Sequence, residues 1–597
     1  MESKQQFPVF LLIRRAEGRA ARGDARVKIG VPLTLAALIG IGLVTVSHAA
    51  HPASVADSIY VGGDIVTVND AQPSAQALAV KGGRILAVGE RQTIETKHKG
   101  SKTRVVDLAG KTLLPGFFDA HSHYFSSLTV ANQVNVYAPP AGPGKDPDSI
   151  VAELVKVRDR KKTPKGVVIQ AYGYDENVMP NGRLLNRDDL DKAFPDNPVL
   201  VGHVSMHGAV MNSAALKKWN ITAATKTPPG GVIVRKPGTN EPYGLIMETA
   251  YLPVFASLPK PTRKQEIEWS RAGQMLYAEA GITTVHEGAT HAEEFAIMKR
   301  AAQGGANIID VVAYPFITDV DKVLKTDPLS GWGKYNKRLK IGGVKITIDG
   351  SPQGRTAFFS TPYLTGGPGG EKEWRGELAA PKETINQAVK KVYALGVPLD
   401  LHANGDAAID AFLTAHEFAA AGDLTKDRHV TMVHAQFTRP DQLDKYVQYK
   451  ITPSFYTLHT YYFAEAHIAN RGREQAMYIS PMRDAIDKGL RVTNHTDFVV
   501  APLDQMFMLW SAVNRVSRGG EVIGADQRVT PLEGLKAMTI DAARQHLEEA
   551  SKGSLEAGKF ADLVILDGNP LKVDPMKIKG IKVVETIKEG RTIYRAK

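Results

Sequence analysis

The chain has 597 residues, 43% of them hydrophobic and 23% charged, the composition of a soluble globular protein too long for one simple core. It contains no cysteine, which excludes disulfides, thiolate-bound zinc and a thiol nucleophile and leaves nitrogen and oxygen to hold any metal. The net charge of +11 is not gathered into a basic tract with interleaved aromatics, so nucleic acid is not an expected partner.

The first 50 residues read as an export signal. A basic stretch, "RRAEGRAARGDARVK", precedes the apolar "IGVPLTLAALIGIGLVTV" and then "SHAA", with small residues spaced for cleavage near Ala49 or Ala50. The alternative is an uncleaved anchor, since an apolar run of about 18 residues is the lower limit of a membrane span. Either reading places the body outside the cytoplasm, periplasmic or secreted, with membrane contact expected only through this segment.

Residues 55–113 follow as short strands: "SIYVGGDIVTV", "AQALAVKGGRILAVG" and "TRVVDLAGKTLLPG", with glycine pairs and Asn or Asp at the turns. The end of the chain, 550–597, has the same texture in "GSLEAGKFADLVILD" and "IKVVETIKEGRTIY". The two β-rich ends flank an alternating middle and are expected to combine into one small β-sandwich domain.

The middle, 114–549, repeats one pattern. "LLPGFFDAHSH" comes first, and after a long piece at about 125–275, expected to be an insertion, come "GITTVHEGA", "NIIDVVAY", "KIGGVKITIDG", "GVPLDLHANGD", "RHVTMVHAQ", "KITPSFYTLH" and "LRVTNHTDF". Each is a short apolar run ending in polar residues, and helical patterns such as "KETINQAVKKVYALG" lie between them. Eight strand–helix alternations predict a (β/α)8 TIM barrel, whose chemistry sits at the C-terminal ends of its strands.

Those ends carry the candidates. His121 and His123 are two residues apart, so in an extended strand both imidazoles share a face, a spacing suited to one metal ion. Lys345 in "KITIDG" points into the barrel, where an ammonium must be paired with a carboxylate, neutralised or chemically changed. His402, His434, His495 and Asp497 end later strands. A single such histidine is more often a hydrogen-bonded core residue, but ligand-type residues at several strand ends of one barrel are harder to explain that way.

"LPGFFDAHSH", the lysine in "GGVKITIDGS", "LHANGDAAID", "VHAQ", "TDFVVAP" and the tail "GSLEAGKFADLVILDGNP" together resemble the metal-dependent amidohydrolase superfamily, in the YtcJ-like, amidohydrolase-3 subgroup. "AYGYDE", "HGAVMNSAAL" and "GGVIVRKPGTNEPYGLIMETA" in the insertion are similar to that subgroup too. The resemblance spans about residues 55–597. It implies that His121 and His123 hold one metal and His402 and His434 a second, most often zinc. Lys345, carboxylated, would bridge them, and Asp497 would serve as ligand and general base.

The implied reaction is hydrolysis of an amide-type, non-peptide carbon–nitrogen bond in a small molecule by a metal-activated hydroxide. His207 in "SMHGAVMNS" is the implied partner for the substrate carbonyl. Tyr174, Asp175, Glu248, His286, Arg355 and His459 are pocket candidates. So is His495, which stands in "NHTD" where a Gly-Ser-Asp is more usual. The alternatives are deamination, cyclic-amide opening or ester hydrolysis at the same site, or a non-catalytic scaffold. A homo-oligomer is the candidate assembly.

Overall fold

The computed structural model describes residues 54–597 apart from 205–207, 229–230, 259–260 and 368–370. The expected export signal and its cleavage site lie outside the described residues. Among the described residues, no helix is long and apolar enough to cross a membrane.

The two ends of the chain meet in one sheet. Leu563–Leu566 lies antiparallel on Thr112–Pro115, with Leu563 opposite Pro115 and Leu566 opposite Thr112. Both strands are buried along their whole length, which accounts for their continuous apolar character rather than an alternating one. Val583–Lys588 and Arg591–Arg595 extend the sheet on one side. Ser58–Val66, Ser74–Lys81 and Arg84–Gly89 extend it on the other, with Arg104–Asp107 paired in parallel to the first of these. All eight strands belong to one hydrogen-bonded sheet.

The alternating middle forms parallel strands. Phe117–Asp119, Ile282–Thr290, Asp310–Pro315 and Leu339–Ile341 pair in that order, and Val344–Thr347, Leu399–Ala403, Val430–His434, Thr452–Phe455 and Thr493–Asn494 pair in theirs. Every one of the eight apolar runs contributes. The run "KIGGVKIT" is split between the two sheets at Gly342 and Gly343. The chain passes its neighbours so closely there that a Cβ on Gly343 would lie 2.3 Å from the Pro398 carbonyl oxygen. A bridge between Phe316 and Lys345 spans the two sheets. At the other edges, Asp497 N–H donates to His121 O (3.1 Å) and His123 N–H to Phe498 O (2.7 Å).

Helices cover the strands through apolar faces. Lys382–Leu395 buries Ile385, Val389 and Val392, spaced four and three apart on one side, and ends at Gly396 with φ 68°. Between the first and second parallel strands the chain builds a separate six-stranded sheet, from Val134–Asn135 to Pro242–Glu248. It has its own apolar cluster, with Ile150, Leu154, Leu190, Val199 and Val201 at its centre.

Candidate metal centre

The first strand ends at Asp119, so His121 and His123 stand on the short loop before helix Tyr124–Val130, not within the strand. The extended loop still brings both rings to one side, with centroids 5.6 Å apart. His123 Nε2 lies 3.2 Å from Asp497 Oδ1, and His121 Nε2 lies 3.9 Å from the same oxygen. Lys345 Nζ is 3.4 Å from His121 Nε2 and 3.2 Å from Asp400 Oδ2. His402 Nδ1 and His434 Nε2 face each other at 3.0 Å. The rings of His121 and His434, 5.5 Å apart, join the two pairs into one cluster.

Exposure is uneven across the cluster. The His121 side chain is 1% exposed and Lys345 2%, whereas His123 is 32% and His402 18% exposed. His123 and His402 are thus the histidines of the cluster that solvent reaches most.

Burial also sets protonation. It pushes His121, His434 and His495 well below the usual imidazole range, and His402 down to about 3, with the neighbouring Lys345 charge acting in the same direction. Neutral imidazoles expose the lone pairs that metals bind. His123 moves the other way: burial lowers it, but the Asp497 carboxylate and Glu287 outweigh that and raise it. Burial lowers Lys345 despite Asp400, and raises Asp400 to about 6 despite Lys345.

Two observations of this chain fit a metal. Zinc bonds of 2.0–2.1 Å in tetrahedral geometry separate ligand atoms by about 3.3 Å. The pairs above, at 3.0–3.9 Å, bracket that spacing. The group His121, His434 and Asp497 also brings its ligand atoms within 4.8 Å of one another. Further, the near neighbours of Asp497 Oδ1 are two imidazole nitrogens, His123 Nε2 at 3.2 Å and His121 Nε2 at 3.9 Å, a nitrogen and oxygen donor set of the kind divalent metals bind. The backbone carries strain at the same places. His434 (φ 70°), Ala435 (φ 45°) and Asp497 (φ 53°) are non-glycine residues in the left-handed region, each costing about 1–3 kcal/mol.

Carboxylates hold the frame. Asp119 accepts Thr496 N–H (3.0 Å) and Thr496 Oγ1–H, tying the 495–497 segment to the first strand. Asp349 accepts the backbone N–H groups of Phe358 (3.0 Å), Asn404 (3.0 Å) and Gly405 (2.9 Å), which locks together the loops that follow the Lys345 and His402 strands. Gly288 lies against the His121 ring. A Cβ there would stand 2.1 Å from Cε1, so only glycine leaves the ring its place.

The pocket candidates scatter. His286 lies behind His121, its Nδ1 donating to Ala120 O (2.8 Å) and its Nε2 3.6 Å from Asp400. Asp175 faces Arg518 at 3.6 Å, across a small cavity lined also by Tyr137, Tyr462, Phe463 and Val500, next to the segment that carries Asp497. Tyr174 is spent inside the insertion, its hydroxyl accepting Leu185 N–H (3.1 Å). The Arg355 side chain lies 3.5 Å from the Gly366 carbonyl. His459 stacks on His467, with Nδ1 and Nε2 2.8 Å apart. His495 is fully buried between His434 and Ser454. His207 and the Glu248 side chain lie outside the described residues.

Asp400 and Ser454 are central here but were passed over in the sequence. Asp400 was legible in "LDLH", where it shares a strand face with His402. Ser454 carries no signal beyond its place in a buried run.

The profile of the amidohydrolase family matches residues 104–594, and the chain belongs to that family, in its amidohydrolase-3, YtcJ-like subgroup. It is 26% identical over 552 residues to the Bacillus subtilis (strain 168) protein YtcJ, covering 90% of this chain and 99% of that one. It is 26% identical over 562 residues to the N-substituted formamide deformylase of Arthrobacter pascens, covering 90% and 98%. Its fold is similar to that of a metal-dependent hydrolase from Pyrococcus horikoshii OT3, with a TM-score of 0.67 at 23% identity over 90% of this chain and 100% of that one. The protein is a metal-dependent hydrolase acting on carbon–nitrogen bonds.

Proposed function

We propose that this chain hydrolyses an amide-type, non-peptide bond in a small molecule, at the site formed by His121, His123, Lys345, His402, His434 and Asp497. The observation that carries the reading is the convergence of these six on one cluster, with His123 Nε2 3.2 Å from Asp497 Oδ1, Lys345 Nζ 3.4 Å from His121 Nε2 and His402 Nδ1 3.0 Å from His434 Nε2. His121, His123 and Asp497 would hold one divalent ion, and His402 and His434 a second, most naturally zinc. Bound there, the ions supply Lewis-acid polarisation of the carbonyl and lower the pKa of water to about 7.

The residues do the rest. Lys345, whose ammonium proton burial makes easier to lose, would add CO2 through its neutral amine to become an N-carboxylate, releasing one proton. Asp400 would then keep the His121 and His286 rings as its partners. The attacking water gives a proton to Asp497, its oxygen bonds the carbonyl carbon, the carbon–nitrogen bond breaks, and Asp497 returns the proton to the leaving nitrogen. The likeness to a formamide deformylase supports an amide over an ester. The parallel strands support closure as a (β/α)8 barrel, with the terminal segments as a separate β-domain.

The test is a screen of the zinc-loaded protein against N-substituted formamides, N-acyl amino acids, cyclic amides and esters. Turnover of one amide class, abolished by chelation, is expected. Turnover of esters alone would overturn the reading. The signal-like start also supports export: protein recovered from the producing cell should begin near residue 50 or 51. An intact N-terminus in a soluble cytosolic fraction would contradict this.

A further inference from the structure

His495 stands two positions before Asp497, and the metal reading gives it no task. Its geometry does. His434 lies between two other imidazoles: its Nε2 is 3.0 Å from His402 Nδ1, and its Nδ1 is 3.1 Å from His495 Nε2. On the far side, His495 Nδ1 is 2.9 Å from Ser454 Oγ. His434, His495 and Ser454 are buried, with relative exposures of 4%, 0% and 0%, so water cannot supply a missing donor or acceptor.

Proton accounting along this chain has one solution compatible with a metal. A neutral imidazole has one N–H and one lone pair. For His402 Nδ1 and His434 Nε2 both to turn lone pairs toward an ion between them, the His434 proton must sit on Nδ1. That N–H then needs an acceptor, and His495 Nε2 is the atom in reach. Its use as acceptor puts the His495 proton on Nδ1, where it donates to Ser454 Oγ. With the order reversed, His434 Nε2 would carry the proton and His434 would have no lone pair to offer the ion.

We infer that His495, held by Ser454, is the positioning residue that fixes His434 in the tautomer presenting Nε2 to the metal. The two halves of the site are thereby backed by different chemistry. His121 Nδ1 faces the Asp400 carboxylate at 3.3 Å, whereas His434 Nδ1 faces a neutral imidazole. A carboxylate makes its histidine a stronger donor than a neutral acceptor does.

This inference rests on the metal reading of the site, and its test separates the two. Zinc binding by the full chain is measured by competition with a chromophoric chelator, for the wild type, His434→Ala, His495→Leu, His495→Gln and Ser454→Ala. His434→Ala defines the zinc equivalent in question by losing it. His495→Leu should bind that equivalent about 10–100-fold more weakly, the usual effect of removing a partner of a metal-bound histidine. His495→Gln, whose amide oxygen accepts the same N–H, should recover most of the loss, and Ser454→Ala should show a smaller loss in the same direction. Wild-type zinc affinity in His495→Leu, beside a loss in His434→Ala, overturns the inference alone. Unchanged zinc binding in His434→Ala overturns the metal reading itself. If His495→Leu does not fold, Ser454→Ala and His495→Gln decide: wild-type affinity in the serine variant together with a large loss in the glutamine variant contradicts the relay.

Discussion

Replacing Asp497 with asparagine separates chemistry from architecture. The residue sits at φ 53°, a conformation that Asn and Asp adopt more readily than other side-chain residues, so the backbone is not further strained. Its N–H to His121 O (3.1 Å) and its carbonyl bond from Val500 N–H (2.7 Å) do not involve the carboxylate. The fold should persist, and the amide oxygen can still occupy the position 3.2 Å from His123 Nε2. What disappears is a group able to take and return a proton. The loss expected for general acid–base catalysis is about 10²–10⁴ in rate. At 1.36 kcal/mol per decade, that is about 2.7–5.4 kcal/mol of barrier. The assay is kcat of the zinc-loaded variant on the best amide substrate, beside zinc content by mass spectrometry and the thermal midpoint. Near-normal zinc and midpoint with kcat reduced at least about 100-fold is the expected pattern. Retention of more than about a tenth of the wild-type rate would show that Asp497 is not the proton carrier.

Lys345→Ala should lose both zinc and activity, with partial recovery when a short carboxylate such as propionate is added in place of the missing bridge. Full activity in the untreated variant would refute the bridging role. Gly288→Ala forces the His121 ring to move, because the new Cβ would lie 2.1 Å from Cε1. Zinc should bind about tenfold more weakly or worse, and wild-type affinity would show that His121 is not held where its neighbours place it. Glu548 belongs to a buried ion-pair group with Lys340 and Lys552, away from the metal cluster. Burial would raise its carboxyl, but the two lysines outweigh this and depress it from 4.5 to about 2. Its stabilisation, about 3 kcal/mol, is full above pH 4.5 and is lost as the pH falls toward 2. Thermal midpoints measured across that window should fall less steeply in Glu548→Gln, and superimposable acid limbs would disprove the assignment.

The parts of the fold written as periodic pattern were legible in the sequence. All eight apolar runs became parallel strands because a strand buried on both faces must be apolar throughout and can turn polar only where it ends. Lys345 was readable as inward-facing for the same reason. What the pattern could not carry was partner choice. The meeting of Leu563–Leu566 with Thr112–Pro115 across some 450 intervening residues has no local signature, and neither does the joining of all eight terminal strands into one sheet. At the site, the ligand-type residues were visible as strand-end polar residues. His495 was visible among them, and as the residue that sets "NHTD" apart. Its relation to His434 and Ser454 depends on the spacing of three adjacent strand ends, which the chain order alone does not give.

The most direct test of the account is anomalous diffraction at the zinc edge from crystals of the zinc-loaded protein. The account predicts peaks enclosed by His121, His123 and Asp497 and by His402 and His434, with density for a carboxylate on Lys345 between them. Zinc bound stoichiometrically elsewhere, or Lys345 as a free ammonium on Asp400 beside occupied metal positions, would contradict it.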